Sequence, residues 1–152
     1  MKPKPANRRN WRQRCRQLRT LAAHSLKPIG LRYQRTRTCR FSRGNPFIDT
    51  LFQSSRLWFS KWHVCCQDSP ELTLDQAATE VGIAHGSGNR VALLITTGRI
   101  NPTAAKYATI VSATSQFSVI LLRSADLKAP HPSRSDVARV IRAQALLALL
   151  AA

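Results

Sequence analysis

Hydrophobic and polar positions alternate along this chain in two distinct rhythms. From Trp11 to Leu26 the apolar residues Trp11, Cys15, Leu18, Ala22 and Leu26 recur at spacings of three and four, which predicts one face of a helix. Pro28 and Gly30 stop it. Leu31 to Arg43 is rich in Arg and Thr and reads as a polar connection, followed by turn chemistry at Gly44-Asn45-Pro46. The segments Phe47–Phe52 and Leu57–Gln67 predict a β-hairpin, with Gln53-Ser54-Ser55-Arg56 as its turn. Trp58, Phe59 and Trp62 in the second arm suit strand preference.

Asp68-Ser69-Pro70 ends the hairpin. Thr73 with Gln76 three residues on is a capping-box pattern, and Leu74, Ala77, Ala78 and Val81 share one face of the helix that follows. Gly82 and the run Gly86-Ser87-Gly88-Asn89 close it. Val91–Ile95 is a short continuous apolar run, the mark of a strand buried on both faces. Asn101-Pro102 predicts a capped helix start, and Ala104, Ala105, Ala108 and Val111 give that helix a small-residue face. Phe117–Leu122 reads as a second buried strand, and a last helix is expected from Ser135. A strand-helix-strand unit over 91–122 requires a parallel pair. The expected class is therefore α/β around a mixed sheet.

Charge changes this picture. The chain of 152 residues carries +17, and its first 48 residues hold 14 of the 24 Lys and Arg but no acid. The division this suggests is an Arg-rich arm over 1–43, a core over 44–128 and a C-terminal linker and helix over 129–152. A basic arm favours a polyanionic partner through counterion release. No segment approaches the ~20 apolar residues of a membrane span, and no secretory leader is expected. Four cysteines make no disulfide framework. Cys65 and Cys66 are adjacent in a strand and point to opposite faces. These features fit a reducing cytoplasm.

Metal-dependent phosphodiester cleavage needs carboxylates held together on a rigid frame, with a cation near the attacking water. A hairpin supplies the frame, because residues two apart in a strand share a face. Asp49 lies in the first arm; Cys65, Cys66 and Gln67 end the second. His63 and Cys65 share a strand face, but no Cys-x-x-Cys pair supports zinc. Thr96-Thr97-Gly98-Arg99 is a turn whose amides, at a helix start, suit a phosphate.

This ordered set resembles the Mrr-type restriction endonucleases of the PD-(D/E)xK nuclease group. Asp49 matches the Asp of their first hairpin strand. Trp62-His63-Val64-Cys65-Cys66-Gln67 looks like their Trp-x-Val-Gln-Cys-Lys run, so Cys65 stands where Glu or Gln is expected and Gln67 where Lys is expected. Leu74–Gly82, Val91–Gly98, Ala104–Ala108 and Val119–Leu127 resemble the helix, strand, Thr-Thr-Gly turn, Ala-rich helix and terminal Asp-Leu that follow. The likeness covers about residues 20–128.

The resemblance implies a restriction-endonuclease-like three-layer sandwich around a mixed β-sheet, a DNA partner and Mg²⁺-dependent hydrolysis. Asp49 is then the metal ligand, with Cys65 and Gln67 beside it at the catalytic positions. Replacing two of those side chains implies an impaired enzyme. Arg12, Arg16, Arg19, Arg35, Arg37, Arg40, Arg43, Thr97 and Arg99 are the candidate DNA contacts. No small-molecule substrate is expected, and a homodimer is allowed. Two alternatives stand beside this reading: a non-catalytic nucleic-acid-binding protein, and an interaction module that docks through the helix over Val137–Leu150.

Overall fold

The computed structural model describes residues 8–27, 31–40, 46–54 and 61–128. The expected helix after Ser135, the tip of the hairpin, and Arg43 with its following turn lie outside the described residues. A helix, α1 (Arg8–Leu26), opens the chain. Three strands follow, β1 (Leu31–Arg40), β2 (Pro46–Ser54) and β3 (Lys61–Gln67). Next come β4 (Glu71–Leu72), α2 (Leu74–Gly86), β5 (Val91–Thr96) and β6 (Arg99–Ile100). The last described elements are α3 (Pro102–Thr114), β7 (Ser118–Arg123) and α4 (Ser124–Lys128).

Among the described residues, five strands form one sheet in the order β1-β2-β3-β5-β7. β1, β2 and β3 are antiparallel neighbours, while β3, β5 and β7 run parallel. The sheet is thus mixed, with its change of sense at the hairpin's second strand. A second, two-stranded parallel sheet joins β4 to β6.

The core divides by the period of two along each strand. Trp62, Val64, Cys66, Val91, Leu93, Ile95, Ile120 and Leu122 form one cluster with Leu18, Ala22 and Leu26 of α1 and Leu127 of α4. Cys65, Ala92, Leu94 and Val119 form the other with Ala77, Val81 and Ala84 of α2 and Ala104 and Ala108 of α3. Helices therefore cover both faces of the sheet. Alanines at the contact positions of α2 and α3 let those helices sit close to the strands.

Local signals place the helices as their residues require. Thr73 and Gln76 form both halves of the capping box. Asn101 caps α3 by accepting from the Thr103 amide, with Pro102 at the first helical position. The Asp68 turn and the Gly98 turn lie against each other. A Cβ on Gly98 would come within 2.1 Å of the Pro70 carbonyl oxygen.

Three expectations need correction. Leu31–Arg40 is a ten-residue edge strand paired with β2, not a connection. The described part of residues 1–43 is not an arm apart from the core, because α1 packs Leu18, Ala22 and Leu26 against the sheet and β1 extends it. Gly82 does not end α2, which continues to Gly86. A helix tolerates one interior glycine at about 1 kcal/mol, and packing of Ala77, Val81 and Ala84 offsets that cost.

Candidate functional site

The hairpin register builds the site. Asp49 pairs directly with Cys65, and Arg37 of β1 pairs with Asp49. The same row continues through Leu94 to Leu121. One step along, Gln67 pairs with Thr96, and Thr96 with Arg123. Directly opposed residues share a sheet face. By register, Asp49, Cys65 and Gln67 thus belong to the face that carries α2 and α3.

Burial decides what this face can do. Cys65 is 1% exposed and Gln67 is 5% exposed. Among the described residues, neither amide atom of Gln67, Oε1 or Nε2, has a hydrogen-bond partner. A buried, unsatisfied primary amide costs free energy, on the order of 1–3 kcal/mol.

The donors present do not fit Mg²⁺. That ion takes oxygen ligands and usually more than one carboxylate, while a thiol suits softer metals. Cys65 offers sulfur and Gln67 a neutral amide, which leaves Asp49 as the single carboxylate of the set. Among the described residues, no group of three His, Cys, Asp or Glu side chains is placed to hold a metal ion.

Beside Cys65 on the same strand face, His63 reaches α2. Its Nε2 lies 2.8 Å from Glu80 Oε2, and both side chains are 1% exposed. Among the described residues, the second carboxylate oxygen of Glu80 has no hydrogen-bond partner. Sequence reasoning placed His63 on the correct face but passed over Glu80. The overlooked signal is helical: Ala77, Glu80, Val81 and Ala84 are spaced i, i+3, i+4, i+7 and are the buried positions of α2.

At the end of β3, Asp68 joins three segments. Its Oδ2 accepts from Arg14 Nε at 2.8 Å, and its Oδ1 accepts from the Thr97 hydroxyl at 2.9 Å. The Asp68 backbone also hydrogen-bonds the Cys15 thiol, whose pKa burial pushes up to about 11. From the sequence alone, Asp68 reads only as the end of a strand.

The Thr-Thr-Gly turn is bonded inward. The Thr97 amide donates to the Gln67 carbonyl at 3.1 Å, the Gly98 amide to Thr96 Oγ1 at 3.2 Å and the Arg99 amide to the Pro70 carbonyl at 3.0 Å. These three donors are committed to the protein rather than presented as a phosphate cradle. Arg99 itself is exposed and pairs with Glu71 at 3.0 Å. Arg16 is exposed and Arg19 half-buried on α1, which also carries Arg12. Arg35, Arg37 and Arg40 lie on the edge strand β1, and Arg43 lies outside the described residues. The candidate contacts on described elements lie on α1, on β1 and in the Gly98 turn. No helix among the described residues is long and apolar enough to cross a membrane.

Comparison of the chain with protein-family models gives no match. Comparison with curated proteins gives none either.

Proposed function

We propose that the chain is a DNA-binding protein on a restriction-endonuclease-like core whose phosphodiester-cleaving site has been lost. One observation carries this reading: Asp49 registers against Cys65, with Gln67 on the same face at the point where the antiparallel hairpin meets the parallel strands. In the nucleases this chain resembles, an acid on one strand faces an acid-x-Lys pair on the next, and together they hold the metal that activates water. Here the frame remains, but the second acid and the cation are replaced by a buried thiol and an unpaired amide. Binding is carried by the cations of α1 and β1, through the phosphates and with little sequence preference.

Plasmid DNA with Mg²⁺ or Mn²⁺ tests the lost site. The unaltered chain is expected to bind but not cut. A Cys65→Glu, Gln67→Lys double variant is expected to nick, and Asp49→Ala in that background to abolish nicking. Circular dichroism establishes that the double variant folds despite the buried position of Cys65. Cutting by the unaltered chain, or a folded double variant indifferent to Asp49→Ala, would sink the assignment.

A further inference from the structure

The two edge strands of the described sheet differ in charge. β1, at one edge, carries Arg32, Arg35, Arg37 and Arg40, and such charges discourage a second strand from adding there. β7, at the other edge, reads Ser118-Val119-Ile120-Leu121-Leu122-Arg123, with its single charge at the end. A short apolar strand with so little charge is a template for strand addition unless its backbone is protected in another way.

That protection is visible in the hydrogen bonds of β7. Successive residues of a strand turn their backbone groups to opposite edges. The Ser118 amide donates to the Arg90 carbonyl, so Ser118, Ile120 and Leu122 face β5, while Val119, Leu121 and Arg123 face outward. The first and last of those three outward amides are plugged by side chains. Val119 donates to Ser112 Oγ at 2.9 Å, and Arg123 donates to Asp126 Oδ2 at 2.9 Å. Ser112 comes from α3 and Asp126 from α4, so two separate helices supply the plugs. The Arg123 guanidinium also donates to Asp126 Oδ1 at 3.1 Å, which holds the carboxylate at the end of the strand.

We propose that Ser112 and Asp126 guard this edge: they occupy the amides through which a second copy of the chain would otherwise add its own β7, antiparallel, to make one continuous sheet. The occupant excluded is a second copy because the strand is complementary to itself. An antiparallel pair centred on Leu121 sets Val119 opposite Arg123 on both sides of the centre, so the two Arg residues do not meet. The proposal stands independently of DNA binding.

The guard and simple electrostatics predict opposite signs for one substitution. Asp126→Ala makes an already cationic chain more positive, so charge alone disfavours association. Loss of a guard favours it. Asp126→Asn loses the same charge but keeps an acceptor oxygen. The unaltered chain, Asp126→Ala, Asp126→Asn and a Ser112→Ala, Asp126→Ala double variant are compared by sedimentation velocity over a range of protein concentrations. A reducing buffer keeps the cysteines from cross-linking. Hydrogen exchange of the Leu121 amide is followed by NMR in dilute and concentrated samples.

The unaltered chain and Asp126→Asn are expected to stay monomeric. The double variant, folded by circular dichroism, is expected to dimerise, and Asp126→Ala to dimerise more weakly. In the double variant the Leu121 amide exchanges at least about fivefold more slowly when concentrated than when dilute, the effect of one net hydrogen bond. A folded double variant that stays monomeric overturns the proposal, as does one that associates without slowing Leu121. An unaltered chain that dimerises through Leu121, or protects that amide even when dilute, also overturns it, because the edge is then paired and not guarded. Should the double variant fail to fold, the single variants decide: equal association of Asp126→Ala and Asp126→Asn, or none in either, overturns the proposal.

Discussion

Glu80 on α2 and His63 on β3 meet at 2.8 Å with both side chains withdrawn from water. The pair ties the helix that covers the hairpin face to the strand that carries Cys65 and Gln67. Removing one member of a buried pair leaves the other desolvated without that contact, which typically costs about 3 kcal/mol or more. Glu80→Ala is therefore expected to lower unfolding free energy by about that amount in urea denaturation. A Glu80→Leu, His63→Phe double variant is expected to recover most of the loss, since apolar replacement of a whole buried pair is often neutral. Equal stability of Glu80→Ala and the unaltered chain would show that the pair adds nothing to the fold.

Much of the fold was legible because local chemistry and burial agree there. Thr73-x-x-Gln76 and Asn101-Pro102 marked two helix starts that the structure reproduces. Val91–Ile95 announced a central strand by its unbroken apolar run. Cys65 and Cys66 do point to opposite faces, into separate clusters. β1 was missed because an edge strand needs no alternating apolar face: Arg32, Arg35, Arg37 and Arg40 hid its pairing with β2. Of the site, the placing of Asp49 on one hairpin strand and of Cys65 and Gln67 on the next was legible, but their register was not: a turn over residues 53–56 would set Phe52 opposite Leu57, whereas Phe52 pairs with Trp62 and Asp49 with Cys65. The buried position of Glu80 was legible from its helical spacing, but its partner was not, nor was that of Asp68, because each partner is distant in sequence, His63 across 17 residues and Arg14 across 54.

Two glycines are expected to respond in opposite directions to the same substitution. Gly82 lies inside α2, and a Cβ there meets nothing within 4 Å. Gly82→Ala lowers unfolded-state entropy without strain and is expected to stabilise by about 0.5–1 kcal/mol. At Gly98 the new Cβ would strike the backbone of Ser69 and Pro70, which cannot swing aside as a side chain can. Gly98→Ala must part β4 from β6, losing the Arg99 amide bond to Pro70. The expected cost is about 3 kcal/mol. Thermal melts of the two variants, displaced to opposite sides of the unaltered chain, test both assignments together.

The burial of α1 predicts that the basic first third cannot be removed. Leu18, Ala22 and Leu26 cover Trp62, Val64, Ile95 and Ile120. A truncation beginning at residue 28 strips that cover from one face of the sheet and is expected to yield an unfolded or aggregated chain. Leu26→Ala, a milder change at a fully buried position, is expected to cost about 2–5 kcal/mol. A well-dispersed amide NMR spectrum from the truncated chain would restore the separate arm and core.

Cys66 predicts the behaviour of the fold in alkali. Burial on the α1 side of β3 pushes its thiol from 9.0 up to about 12, with Cys15 adding to the rise and Arg19 opposing it. Because the folded pKa lies above the unfolded one, the folded chain keeps its proton where the unfolded chain has released it. The contribution to stability is whole below pH 9 and declines as pH rises through the window from about 9 to about 12, by at most about 1.4 kcal/mol per pH unit. Cys66→Ala deletes a buried group and so lowers stability at neutral pH, but it also removes this dependence. The stability gap between the two proteins, measured by urea denaturation at a series of pH values, is therefore expected to narrow above pH 9. A gap that stays constant to pH 11 would mean that Cys66 ionises alike in both states, and that its place beneath α1 is open to water.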